Sequence, residues 1–165
     1  YVASMNTLQR LEDVPIVRKQ LISSDFIAML NDTAEMICKN KNLSISDKTA
    51  AIGLCVDPEI VLQVFENLLS NAARYAKSSI SIQYAVENDT FSITVTDDGS
   101  GFDDTTLKSA TNPFYTTEKK SNTGQHLGLG LNICKILCER HNGSIILSNG
   151  ITAGASVTVR FGMTK

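Results

Sequence analysis

The chain has no tryptophan, three prolines and two histidines, and no apolar run longer than about seven residues, "AAIGLCV" at 50–56. Each scarcity removes a class of function. A helix needs about 20 apolar residues to cross a bilayer, so no segment here reads as a membrane span. A formal net charge of −2 over 165 residues leaves no basic excess to meet a phosphate backbone, which argues against nucleic acid as a partner. The four cysteines, Cys38, Cys55, Cys134 and Cys138, sit in apolar stretches, and His141 alone does not complete a second ligand pair at zinc spacing. Buried free thiols in a reducing compartment are the better reading. The P-loop pattern GxxxxGKS/T is absent. No charged-then-apolar leader opens the chain, and a start at Tyr1 rather than Met reads as a piece of something longer.

What is present is a globular composition, 42% apolar, long enough for one domain with a sizeable core. Met5, Leu8 and Leu11 recur every three residues before Pro15, as in the tail of a helix. "VRKQLI" (17–22) reads as a short strand, and "SSDFIAMLNDTAEMICKN" (23–40) as a helix capped by Ser24, with Phe26, Met29, Leu30, Met36 and Ile37 apolar. Strands are expected near 43–46 and 51–56, then the clearest helix at 58–76 with Pro58 in its first turn. Strands near 79–86 and 90–97 join through Asn88–Asp89 in hairpin fashion. Residues 105–127 are polar and lack sustained periodicity, as in a functional lid. A helix from about Gly128 ends at Asn142–Gly143, and strands near 144–148 and 155–161 close the chain. The sum is α/β, with about three helices on one face of a mixed sheet.

Three constellations carry chemistry. In "SITVTDDGSGFDD" (92–104), Phe91, Ile93 and Val95 alternate toward one face of a strand, and the next residue on that face is Asp97. A carboxylate aimed at a core is costly without a donor, and two glycines, Gly99 and Gly101, follow it. On the 57–76 helix, Asn67, Asn71 and Arg74 line one edge of the apolar face. They read either as helix residues bonded to nearby loops or as an anion site, in which an Asn oxygen suits Mg²⁺ and the guanidinium a phosphate. Gly128 and Gly130 stand where a loop becomes a helix, either as a flexible joint or as a cradle whose backbone N–H groups meet phosphate. The strand before Gly99 looks antiparallel and no GxGxxG follows, so a dinucleotide fold is a poor fit. Together they describe a nucleotide pocket, with Asp97 accepting from the exocyclic amine of adenine.

The order "ENLLSNAARYA", "DDGSGF", "NPFYTT", "GLGL" resembles the N, G1, F and G2 boxes of the ATP-binding domain of sensor histidine kinases, in the GHKL superfamily with DNA gyrase, the MutL proteins and a chaperone family. The resemblance covers about residues 17–162 and implies a two-layer α/β sandwich of a mixed, largely antiparallel sheet, with a long ATP lid. It implies ATP and Mg²⁺ as cofactors, Asn71 as the Mg²⁺ ligand with Asn67 beside it, Arg74 on phosphate and Tyr75 flanking the nucleotide. Asp97 would hold the adenine amine, Gly99 and Gly101 shape that wall, Phe114 anchor the lid, and Gly128, Leu129 and Gly130 cradle the phosphates; Lys119 and Lys120 either reach a phosphate or stay solvated. Hydrolysing relatives carry a glutamate base where this chain has Asn67, and Glu66 points elsewhere, which favours phosphoryl transfer. Neither His126 nor His141 stands in a phosphoacceptor context.

The resemblance therefore implies residues 1–15 as the tail of an upstream dimerisation and phosphoacceptor helix and 16–165 as the catalytic domain. It implies, as partners, that upstream domain and a response regulator. The domain would be cytoplasmic and monomeric alone, within a homodimeric protein that can be membrane-anchored. A GHKL ATPase or serine kinase, and a nucleotide-sensing module without catalysis, are the alternative classes.

Overall fold

Phe91, Ile93, Val95 and Asp97 are buried while Thr90, Ser92, Thr94 and Thr96 between them are half-exposed, the two-residue period of a strand with one covered face. In the computed structural model, which describes residues 10–112 and 130–164, they form β5 (Thr90–Asp97), the middle of a five-stranded sheet ordered β2-β4-β5-β7-β6. Strands β4 (Ser79–Glu87) and β7 (Ala155–Gly162) flank β5 antiparallel, β6 (Ser144–Asn149) pairs antiparallel with β7, and β2 (Asn42–Lys48) lies parallel to β4. A separate antiparallel pair joins β1 (Lys19–Ile22) to β3 (Gly53–Val56). The β4–β5 hairpin turns through Asn88 and Asp89, both at positive φ (48° and 56°), as the hairpin twist demands.

Helices α2 (Ser23–Ile37), α3 (Pro58–Tyr75) and α5 (Gly130–Arg140) cover the face bearing Ile80, Ile82, Tyr84, Phe91, Ile93, Val159 and Phe161. The other face carries hydroxyl pairs, Thr94 with Thr158 at 2.9 Å and Thr96 with Ser156 at 2.8 Å. Residues 10–13 are helical (α1), and Leu11 there is buried and accepts at its carbonyl from Arg140 Nη1. Helix α3 buries Ile60, Val61, Val64, Phe65, Leu68, Leu69 and Ala72; burial of a large apolar side chain is worth about 1.5–3 kcal/mol, so this stripe fixes the helix face.

The architecture is the expected mixed, largely antiparallel α/β sandwich. Three local expectations are corrected. Helix α2 begins at Ser23 with Ile22 in the capping position and no side-chain cap; the Ser24 hydroxyl turns instead to Asp25, 3.4 Å away. Met29 and Met36 lie on its outer face, Met36 73% exposed. The stretch expected to be structureless from 105 contains α4 (Asp104–Ser109), capped by Asp103, whose Oδ1 accepts from Thr106 N at 2.7 Å. Cys38, Cys134 and Cys138 are buried and free, and burial pushes the Cys138 thiol up to about 12. Among the described residues no helix is long and apolar enough to cross a membrane, and no cluster of His, Cys, Asp and Glu could hold a metal ion.

Candidate functional site

The site is assembled along α3. Asp57 starts this helix: its Oδ1 accepts from Glu59 N (3.1 Å) and Ile60 N (3.2 Å), and Pro58 supplies a first-turn residue that needs no partner. The second carboxylate oxygen accepts from Val17 N at 2.7 Å, and the Asp57 N–H donates to His141 Nε2 at 2.9 Å. His141 is fully buried just past α5, edge-on to Phe161, and its carbonyl accepts from Gly162 N at 2.9 Å. This knot fixes the end of α5 against the start of α3. Burial is the largest cause holding the imidazole below its ordinary pKa and the Arg18 charge adds to it, while backbone carbonyls and Asp57 oppose.

Helices α3 and α5 then run in contact. Asn67, Asn71 and Arg74 are half-buried on the same edge of α3, and Glu66 is exposed away from it. Gly130, first residue of α5, faces both asparagines: a Cβ there would lie 3.9 Å from Asn67 Oδ1 and 3.9 Å from Asn71 Nδ2. Two carboxamides and a helix N-terminus thus converge, and rotation of either amide presents oxygen or nitrogen to the gap. One turn further, the Arg74 guanidinium stands 5.8 Å from the centre of the Tyr75 ring, which is 42% exposed.

Tyr75 leads to the second half of the site. Its carbonyl would be 2.3 Å from a Cβ at Gly99, so the segment after β5 can lie against the end of α3 only with glycine there. Asp97 closes β5 on the core face, 7% exposed; its Oδ1 accepts from Gly99 N at 2.8 Å and from Ala155 N at 3.3 Å. Among the described residues Oδ2 accepts nothing further. Beside it, Asp98 accepts from Ser78 N (3.0 Å) and Ser78 Oγ (2.7 Å), bonds that hold its carboxyl well below the usual range and tie β5 to the chain leaving α3.

The structure therefore brings Asn67, Asn71, Arg74, Tyr75, Asp97, Gly99 and Gly130 together. Gly101 (φ +77°) is near the same wall but faces Asn149, whose Oδ1 would be 2.8 Å from a Cβ there. Phe114, Lys119, Lys120, His126, Gly128 and Leu129 lie outside the described residues. Four contributors went unread in the sequence: Asp98, Asn149, Gly154 and Ala155. Their roles rest on backbone bonds between distant segments, and only the Asn149–Gly150 break hinted at a turn.

Residues 56–165 match the family described as Histidine kinase-, DNA gyrase B-, and HSP90-like ATPase. The chain is 28% identical to the sensor histidine kinase SpaK of Bacillus subtilis over 97% of its length, and 34% identical to the signal transduction histidine-protein kinase BaeS of Escherichia coli K12 over 74%. It spans 36% of the former and 26% of the latter. In fold it is similar to the catalytic domain of histidine kinase ThkA, at a TM-score of 0.75 and 22% identity, covering 90% of this chain and 97% of that one.

Proposed function

The chain belongs to the Histidine kinase-, DNA gyrase B-, and HSP90-like ATPase family, and from that premise we propose that it is the ATP-binding catalytic domain of a two-component sensor histidine kinase. It transfers the ATP γ-phosphoryl to a histidine on a separate dimerisation domain, for relay to a response regulator. The names of SpaK and BaeS support this reading. One observation carries the nucleotide part: the edge of α3 joins a paired-amide gap facing Gly130 to a strand-end carboxylate whose second oxygen accepts nothing among the described residues.

Asp97 Oδ2 accepts from the adenine amine, with Gly99 allowing the base to lie against backbone. Arg74 offers a charge-assisted donor to phosphate, and the N–H groups at the start of α5 add to it. The donor set suits Mg²⁺: a single amide oxygen from Asn71, with Asn67 adjacent, leaves room for phosphate oxygens and water, which this ion retains. When bound, the ion neutralises charge on the transferring phosphoryl group. Asn67 cannot act as a general base, so the site has no evident means of activating water there, and transfer is favoured over hydrolysis.

Titration calorimetry tests the reading. ATP should bind the chain, and Mg²⁺ should tighten binding. Asn71→Ala should weaken binding mainly in the presence of Mg²⁺. An equal loss with and without the ion would remove Asn71 as its ligand, and absence of ATP binding would overturn the proposal.

A further inference from the structure

The adenine wall is braced from behind by a segment outside the four boxes. Asn149, last residue of β6, makes a two-point bond to the backbone of Phe102: its Oδ1 accepts from Phe102 N at 2.7 Å and its Nδ2 donates to Phe102 O at 2.9 Å. A primary amide matches the N–H and C=O of one residue in this way, as the paired residue of a neighbouring strand would. The turn after it is closed by Gly150 N donating to Gly154 O at 2.9 Å. Gly154 (φ +83°) then presses on the same wall, since a Cβ there would sit 1.7 Å from the Asp97 carbonyl, and Ala155 N donates to Asp97 Oδ1. Residues 149–155 thus hold the wall at both ends, Asp97 and Phe102. Gly101 lies between them at φ +77°, a conformation that suits glycine, and a Cβ there would crowd the Asn149 amide at 2.8 Å.

We infer that Asn149 is a positioning residue for adenine selectivity, acting through the Phe102 backbone on the orientation of the Asp97 carboxylate. This rests on the nucleotide reading of the site. The chain of cause is short. Phe102 held by Asn149 keeps residues 99–101 in place; Gly99 N, so placed, pins Asp97 Oδ1; and Oδ2 is left aimed at the base. Without the amide, the 99–102 segment is free to lift and the carboxylate to rotate. A base that offers an amine to Oδ2 then loses its partner, whereas one offering a carbonyl had no such bond to lose.

The test compares ATP with ITP, whose base carries a carbonyl in place of the amine, by calorimetry on the 165-residue chain, with affinities read on the folded fraction set by stoichiometry. Asn149→Ala should weaken ATP about fivefold to tenfold and ITP less than twofold. Asn149→Asp, which keeps the acceptor facing the Phe102 N–H but sets a carboxylate oxygen against the Phe102 carbonyl, should likewise lower ATP affinity relative to ITP. Equal losses for both nucleotides, or an unchanged ATP to ITP ratio in a chain that binds ATP, would overturn this inference alone. If the unsubstituted chain binds neither nucleotide, the reading of the site falls and this inference with it.

Discussion

Asp97 is the one charged residue in a buried apolar series, and the proposed base site is built on it. It continues the buried series of Phe91, Ile93 and Val95, and its Oδ1 is occupied by Gly99 N and Ala155 N. This arrangement sharpens the outcome of Asp97→Asn. The two N–H donors hold the amide oxygen at the Oδ1 position, so the NH₂ falls where Oδ2 was, donor against the adenine amine. Hydrogen bonds to charged groups are worth about 1.5–3 kcal/mol, so ATP affinity should fall by about one to two decades. ITP, which presents an acceptor, should be unaffected or bind more tightly. Unchanged ATP binding in a competition assay would remove Asp97 from the base site. Asp97, Asn67 and Asn71 were legible because strand and helix periods assign each a face. Asn149 and Asp98 were not: each bonds a peptide group 47 or 20 positions away, and no local pattern marks such pairs.

Among the elements, α3 was legible almost to its ends because an apolar stripe and Pro58 agree on one helix. Helix α4 was not, since six residues, DTTLKS, are too few to show a stripe and its start depends on the Asp103 cap. Ser24 misled for the opposite reason: a capping residue type stood near a helix start, but the chain arrives from β1, paired with β3, so that the cap falls two residues earlier, at Ile22. The joint between α3 and α5 is where element packing meets titration. His141 Nε2 accepts the Asp57 N–H, which only the neutral ring can do, and Nδ1 has no partner of good geometry among the described residues. With the folded pKa below the ordinary 6.5, the unfolded chain takes up this proton more readily. The contribution of His141 to stability should be complete above about pH 6.5 and decline as pH falls through the folded value. Urea denaturation across pH 5–8 should show this decline, and His141→Gln, which cannot titrate, should flatten it. An unaltered pH slope in the variant would contradict the role.

At the scale of the molecule, the sheet supplies a rigid wall ending in Asp97, and the His141 knot sets α5 against α3 so that Gly130 meets the two asparagines. The chain matches only about a quarter to a third of the kinases it is similar to, so the acceptor of the phosphoryl group belongs to the proposal. Transfer demands an acceptor nitrogen in line with the γ-phosphate, and positioning supplies much of the rate. His141 cannot serve, being fully buried with Nε2 engaged. The most direct measurement therefore supplies the acceptor. The purified chain is incubated with γ-labelled ATP and Mg²⁺, alone and with the helical dimerisation domain proposed to carry the acceptor histidine. Alone, it should turn over little ATP and retain no stable label. With the added domain, acid-labile and base-stable phosphohistidine should appear on that domain and be lost with Asn71→Ala. Brisk hydrolysis by the chain alone, or ATP binding with no label on a helical domain shown to associate with it, would contradict the account.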